Sequence, residues 1–296
     1  MLTNLKDLLP QYLEKDAAVG AFNLAFLPDT QWIIRAAEEM NAPVIVQLSP
    51  HVSEFLGYEY WSMVARDMAE KAAVPVVLHL DHASNKEDIW KALEAGYTSV
   101  MFDGSQLPVD ENIRITREVV ERARRYGASV EAEIGSVSYL GKDTHKDQLS
   151  DPEGAKAFAE ASGCDCLAVS VGTTHMMRSQ TANLHFGLLQ EIQDAVSIPL
   201  VMHGTSGVPN DQLERMRSFH VCKVNIGTAL RMAFNRGLRE ELAAHPNDMI
   251  SWDLLRKGLD GEKEIVKTKM RLLGFQDDGT IRPAAVKEVK PEDMYE

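Results

Sequence analysis

PVVLHLDHASNKEDIWKALEAG, residues 75–96, contains one complete structural unit. Its first part, 75–83, is a near-continuous apolar run, the pattern of a strand buried on both faces of a parallel sheet. Ser84 and Asn85 then offer a helix start, a helix-period segment follows over 86–96, and Gly96 supplies the stop. The unit recurs along the chain. Apolar runs stand at 19–25, 43–49, 75–83, 99–105, 129–136, 166–175, 198–207 and 221–228. Helix-period segments lie between them at 30–41, 53–72, 86–96, 110–127, 152–163, 184–196, 210–218 and 229–245. Eight strands alternating with eight helices in 296 residues predict an α/β fold, a (β/α)8 TIM barrel. A further amphipathic segment over 252–273 predicts an additional C-terminal helix. A doubly wound open sheet shares the alternation but rarely runs to eight units, and no GxGxxG turn follows the first run. The barrel is expected to occupy residues 1–274 as a single domain, with 275–296 as a polar tail. The N-terminal MLTNLKDLLPQYLEKD alternates apolar and charged residues and predicts an amphipathic helix, not a secretion signal.

Composition excludes several classes. The 31 Lys+Arg against 44 Asp+Glu give a formal net charge of −13, which argues against nucleic acid or an anionic membrane as partner. Hydrophobic residues at 45% and charged ones at 25% are the usage of a soluble globular enzyme. No apolar run reaches the roughly 18 residues of a membrane span. Cys164, Cys166 and Cys222 are odd in number and sparse, which points to a reducing, cytoplasmic setting without disulfides.

In a barrel of this kind the chemistry gathers at the C-terminal ends of the strands. The third run ends His79-Leu80-Asp81-His82, the sixth Gly172-Thr173-Thr174-His175, the seventh His203-Gly204-Thr205-Ser206-Gly207. Three imidazoles on one rim plus an open position make a catalytic Zn2+ site, since neutral His nitrogen suits a borderline-soft cation. The plainer alternative has each His capping a strand. Asp81 beside them is the candidate for proton transfer, or else support for His82 or His203. Asp103 and Glu133 add two acidic groups to the rim, fit for a second cation position or for orienting a ligand. Glu131 competes with Glu133 for that role and lies farther from the strand end. Gly204-Thr205-Ser206 and Asn225-Ile226-Gly227-Thr228 are small, donor-rich turns after strands seven and eight, where barrels build phosphate sites. Asn23 and Ser49, at the first and second strand ends, are further candidate contacts. His79 is expected to hydrogen-bond inside the barrel, and His51, His185, His220 and His245 to lie on the surface or on helices. Met63, Met68, Met216, Met232 and Met270 are expected to fill the core.

Taken together these motifs resemble the class II, zinc-dependent fructose-bisphosphate and tagatose-bisphosphate aldolases. The resemblance rests on Leu80-Asp81-His82-Ala83, Glu131-Ala132-Glu133-Ile134-Gly135, Gly172-Thr173-Thr174-His175, His203-Gly204-Thr205-Ser206-Gly207 and Lys223-Val224-Asn225-Ile226. It runs in order from Ala21 to about Gly274. It implies that His82, His175 and His203 bind Zn2+ and that Asp81 is the acid/base at the substrate C4 hydroxyl. In such enzymes zinc polarises the ketose carbonyl and stabilises the enediolate of dihydroxyacetone phosphate. Gly204–Ser206 and Asn225–Thr228 match the stretches that hold that phosphate, and Asp103 and Glu133 match carboxylates linked to an inner metal position, for which a monovalent cation is the further cofactor expected. A sugar phosphate as small-molecule partner and a homodimer or homotetramer complete the expectation.

The chain also departs from the resemblance. Met176 stands where relatives carry Gly beside phosphate, Met177 breaks the same pattern, and the basic residue that follows is represented by Arg178. Strand eight reads Asn225-Ile226-Gly227-Thr228-Ala229, without the acidic residues of the fructose or tagatose types. The loop after strand five lacks the Gly-Gly-Glu-Glu-like run that handles the proton at C3, leaving Asp143 or His145 as substitutes. These departures favour a ketose other than fructose 1,6-bisphosphate, and allow an unphosphorylated or otherwise modified donor. Two other readings stand beside these: a Schiff-base aldolase on Lys223, and a non-catalytic sugar-phosphate-binding barrel.

Overall fold

Valine, isoleucine, leucine and alanine dominate the strand runs because a strand covered on one face by helices and on the other by the barrel interior has no wet side. The computed structural model describes residues 1–137, 148–247 and 251–284. Its barrel strands are β1 Val19–Asn23, β2 Val44–Leu48, β3 Val76–Ala83, β4 Ser99–Phe102, β5 Ser129–Ile134, β6 Cys166–Val169, β7 Leu200–Met202 and β8 Val221–Ile226. Each pairs in parallel with the next, and β8 closes on β1 with Ala21 opposite Asn225. The fold is the predicted (β/α)8 barrel. Helices α1 Leu27–Glu39, α2 Pro50–Leu56, α3 Tyr58–Lys71, α4 Lys86–Ala95, α5 Val109–Arg125, α6 Pro152–Ser162, α7 Phe186–Ala195, α8 Asn210–Met216 and α9 Thr228–Ala244 follow their strands, and α10 Ser251–Leu272 is the additional helix. Asn85 caps α4 by accepting the Asp88 N–H at 2.9 Å, and Gly96 ends that helix in the left-handed region at φ 93°. The punctuation expected around residues 84–96 is therefore the punctuation observed.

Several expectations are corrected. The N-terminal segment is not one helix. Leu2–Thr3 forms a short strand beside β3, and the terminal ammonium donates to the carbonyls of Ala69, Ala72 and Val74. A single turn, Leu5–Leu8, and a 3-10 turn, Leu9–Tyr12, then replace the long helix, with Pro10 in the first turn of the second. The segment 53–72 breaks at Gly57, whose φ of 107° ends α2. Met63 and Met232 are exposed rather than core, whereas Met216 and Met270 are buried as expected. Beyond Gly274, Phe275 is buried, Arg217 donates to the Arg282 and Pro283 carbonyls, and Ala284 donates to Asp16. Among the described residues no helix is long and apolar enough to cross a membrane.

The added helix α10 packs on α9 and α1 and brings Glu262 against Asp29, which accepts the Ala25 and Phe26 N–H groups at the start of α1. Both carboxyls are buried, and Asp29 Oδ1 and Glu262 Oε2 face no donor, so the pair needs a shared proton. Burial, then the neighbouring Asp29 charge, raises Glu262 from 4.5 to about 9. A carboxyl raised by folding stabilises the fold below its unfolded pKa, and that contribution disappears as pH climbs toward the folded value. Glu262→Gln keeps the hydrogen and removes the charge. Its urea stability is expected to match wild type near about pH 5 and to exceed it near about pH 9 by at least about 1.4 kcal/mol.

Candidate active site

Asp81 and His82 are neighbours in sequence, and in a regular strand their side chains would leave opposite faces. A register shift between Leu80 and Ala83 and a φ of 53° at His82 break that alternation. The bulge turns both side chains into the cavity at the C-terminal mouth. Below them His79 stays in the barrel interior, bonded through Nδ1 to Ser99 Oγ at 2.8 Å, as expected for it. His203 follows β7 directly. His175 does not end a strand: β6 stops at Val169, and His175 arrives from the following loop. Gly204 makes that arrival possible. At φ 65°, a Cβ there would lie 2.9 Å from the Thr174 carbonyl carbon and 3.2 Å from the His175 nitrogen.

The three imidazoles converge. Donor atoms of His82, His175 and His203 lie within 4.8 Å of one another, and His82 Nε2 faces His203 Nδ1 at 2.8 Å. Each of the latter two rings is anchored through its other nitrogen: His82 Nδ1 to Asp103 Oδ2 at 2.9 Å, and His203 Nε2 to Glu131 Oε1 at 2.7 Å. Those carboxylate partners assign the tautomers that leave His82 Nε2 and His203 Nδ1 as the inward lone pairs. Two such lone pairs at contact distance require a cation between them. A proton or a metal ion fits, and three imidazoles fit a borderline-soft metal. Burial would lower His82, but Asp81, Asp103 and Glu133 outweigh it and raise the ring to about 10. A second set, His82, Asp103 and Glu133, also falls within ligating distance. Burial, then Asp103, pushes the Glu133 carboxyl well above its ordinary range.

Asp81 lies in a cradle of amides. Asn23 Nδ2 donates to Oδ2 at 2.8 Å, Gln47 Nε2 to Oδ2 at 3.2 Å, and Asn225 Nδ2 to Oδ1 at 3.1 Å. Burial alone would raise this carboxyl, but His82, His203 and Lys223 hold it well below the usual range. Around it a cavity of about 490 Å³ collects Asn23, Ser49, Asp81, His82, His175, Gly204, Thr205, Ser206, Asn225, Gly227 and Thr228, all expected from the sequence. The two donor-rich turns are tied together, Thr205 Oγ1 donating to the Asn225 carbonyl at 2.6 Å and Ala229 N–H to Ser206 Oγ at 3.4 Å. Gly227 precedes the 17-residue α9, whose positive dipole end lies on this side.

Three expected contacts are not among the cavity-lining residues. Gly172, at φ 105°, packs against the Asn183 carbonyl; Ile226 is buried in the apolar core; Arg178 is exposed beyond the rim. Asp143 and His145 lie outside the described residues. His51 is exposed on a helix, as expected for a surface or helix position, and it also lines the cavity, as does Arg231. His51 stands three residues past the end of β2 at Leu48, and Arg231 one turn into α9 on the face of Thr228, so the strand-end rule applied one turn further reaches both. Gln47 was legible as the one polar residue in Val44–Leu48. Lys223 is fully buried, 2.8 Å from Glu131 Oε2, and outside the cavity lining, which removes the Schiff-base reading.

A (β/α)8 barrel with three convergent imidazoles and an adjoining carboxylate at its C-terminal mouth has the architecture of a barrel enzyme whose site could hold a metal ion. The family model described as class II fructose-bisphosphate aldolase matches residues 3–278. A fructose-bisphosphate aldolase of Geobacillus stearothermophilus is 37% identical over 92% of this chain and 97% of its own length. Among solved structures, the YdjI aldolase of Escherichia coli K12 superposes with a TM-score of 0.83 at 32% identity, covering 93% of this chain and 98% of that one. A chain described as a putative fructose-1,6-biphosphate aldolase from Coccidioides immitis gives 0.81 at 28% identity, covering 90% and 94%. The chain belongs to the class II fructose-bisphosphate aldolase family and is an aldolase, a carbon–carbon lyase. That membership sets aside the non-catalytic barrel.

Gly204→Ala tests the placement of His175. A Cβ at that left-handed position meets the Thr174 backbone, so the loop must retreat. The variant is expected to keep its circular dichroism spectrum and lose aldolase turnover about 10–100-fold, the effect of a displacement near 1 Å.

Proposed function

We infer that this chain is a Zn2+-dependent aldolase that cleaves a ketose 1-phosphate or ketose bisphosphate into dihydroxyacetone phosphate and an aldehyde. The observation that carries the reading is the meeting of His82, His175 and His203 beside the amide-held carboxylate of Asp81. His82, His175 and His203 would hold the ion, with Asp103 and Glu131 fixing two of the rings. Bound Zn2+ would supply a Lewis acid for the negative charge that builds on the ketose carbonyl oxygen. Asp103 and Glu133 would form the second position, suited to a monovalent cation.

The chain's own groups perform the proton work. In the cleavage direction Asp81 removes the C4 hydroxyl proton, the C3–C4 bond breaks, and the C4–O electron pair becomes the aldehyde carbonyl. The C3–C4 pair stays with the dihydroxyacetone phosphate half, which takes up a proton at C3. In condensation Asp81 returns its proton to the new C4 alkoxide. Asn23, Gln47 and Asn225 fix the carboxylate so that one geometry serves both directions. Gly204–Ser206 and Gly227–Thr228 offer backbone N–H and hydroxyl donors for the phosphate, and His51 and Arg231 add basic side chains on the rim.

A second reading, an unphosphorylated or modified donor, is favoured by Met176. This non-glycine residue holds φ 63° and lines the phosphate side of the cavity, while Met177 packs over Gly207. The discriminating assay offers dihydroxyacetone phosphate and dihydroxyacetone separately to an aldehyde panel with Zn2+ present. Condensation with the phosphate is expected; condensation only with the free ketone would favour the second reading. Exhaustive chelation is expected to abolish turnover and Zn2+ to restore it, and activity surviving chelation would overturn the metal assignment. Asp81→Ala is expected to retain zinc and lose about 10²–10⁴ in kcat.

A further inference from the structure

Lys223 is the least expected residue in the barrel. It is fully buried on β8, below the cavity, and lines none of it. Its ammonium nonetheless has two partners that lead to the two halves of the site. Nζ lies 2.8 Å from Glu131 Oε2, and the other oxygen of that carboxylate accepts from His203 Nε2 at 2.7 Å. Nζ also donates to Asn225 Oδ1 at 2.7 Å, and the amide nitrogen of Asn225 donates to Asp81 Oδ1 at 3.1 Å.

We propose that Lys223 is the positioning residue that couples the metal-ligand and proton-transfer halves of the site, orienting His203 through Glu131 and Asp81 through Asn225. The inference rests on the reading of the site given above and extends it to a group that touches neither substrate nor metal. The logic of donors and acceptors enforces both arms. An ammonium only donates, so Asn225 must turn its carbonyl toward Lys223 and its NH2 toward Asp81. With an apolar side chain at 223 the amide could flip, presenting an oxygen to a carboxylate. The same ammonium keeps Glu131 anionic at zero exposure, and an anionic Glu131 is the acceptor that fixes the His203 Nε2–H and leaves Nδ1 bare toward the cavity. His79 Nε2, 3.5 Å from Glu131 Oε2, gives that carboxylate a neutral neighbour but no replacement charge, because burial holds His79 unprotonated. Buried ion pairs are seldom kept for stability, since well-packed apolar residues serve as well or better. Two convergent arms give this pair another reason to exist.

Replacing Lys223 alone would strand Glu131, so the test neutralises both partners in Lys223→Met/Glu131→Gln. Its readouts are thermal stability without metal, zinc affinity by competition with a chromogenic chelator, and kcat and KM at saturating Zn2+. The expected variant folds, binds zinc about 10–100-fold more weakly, and loses about 10²-fold in kcat with KM within about threefold. A folded variant in which either zinc affinity or kcat stays within threefold of wild type overturns the coupling, because one cation is then not serving both halves. Asn225→Ala cuts only the arm toward Asp81. It is expected to lower kcat and leave zinc affinity within threefold, and a matching loss of zinc affinity would overturn the two-arm arrangement even if the double variant failed to fold. Failure of the underlying aldolase reading would show in the wild-type protein, which would lack zinc-dependent turnover; failure of this inference shows only in the variants.

Discussion

A carboxylate with no exposed surface sits inside this barrel, and much else is arranged around it. Glu131 is held by Lys223, His203 and His79, each from a different strand or strand end. Burial would raise its pKa, yet Lys223 and His203 keep it well below the ordinary value. Removing one partner of a buried pair costs about 3–5 kcal/mol. A whole domain is stable by only about 5–15 kcal/mol. The same network therefore bears on whether the barrel holds together and on where His203 points. Interior layers that other barrels fill with branched aliphatics are given over here to charge and amide.

Above this layer, the site is made by departures from regular geometry. A strand offers its cavity only every second residue, so a carboxylate and an imidazole adjacent in sequence cannot both serve without a bulge. His82 adopts a left-handed backbone, and so does Met176, two of the three non-glycine residues with positive φ among the described residues. Left-handed non-glycine residues are held only where surrounding structure over-determines them, and they cluster at functional sites. At His82 the surrounding contacts are the Asp103 bond, the His203 contact and the Met101 sulfur at its own N–H. Just before Met176, the backbone of Thr174 and His175 packs on Gly204 too closely for any side chain at 204.

Much of this was legible in the sequence, for a physical reason. Parallel barrels bury both faces of each strand and send every strand end to one mouth, so apolar runs such as 44–48 announce the fold and polar residues after them announce the site. His82, Asp81, His203, Gly204 and Asn225 were readable on that rule alone. What was not readable depends on contacts distant in sequence. The early end of β6 at Val169, the entry of His175 from a loop and the left-handed turn at Gly204 arise from two segments closing on each other. Lys223 could be placed on the inner face near Asn225, but nothing local showed that Glu131 would meet it. Arg231 and His51 were missed because they lie one turn beyond the strand ends, where helices tilt side chains back over the cavity.

The acidic surface and the anionic substrate proposed for this site are compatible because range separates them. With a net charge of −13 the chain repels anions at long distance, but charges on the surface are screened beyond about 8 Å at physiological ionic strength. Inside the cavity the order is reversed. In the proposed reading the turns at Gly204–Ser206 and Gly227–Thr228 and the basic rim at His51 and Arg231 would act at contact distance, where water screens them least. The carboxylate that lines the cavity, Asp81, accepts from three amides, and two carboxylates behind the lining have partners of their own, Asp103 in His82 and Glu131 in Lys223 and His203. Selectivity for the proposed anion would then come from directed donors rather than from net charge, and a bulk isoelectric point carries little information about what such a mouth accepts.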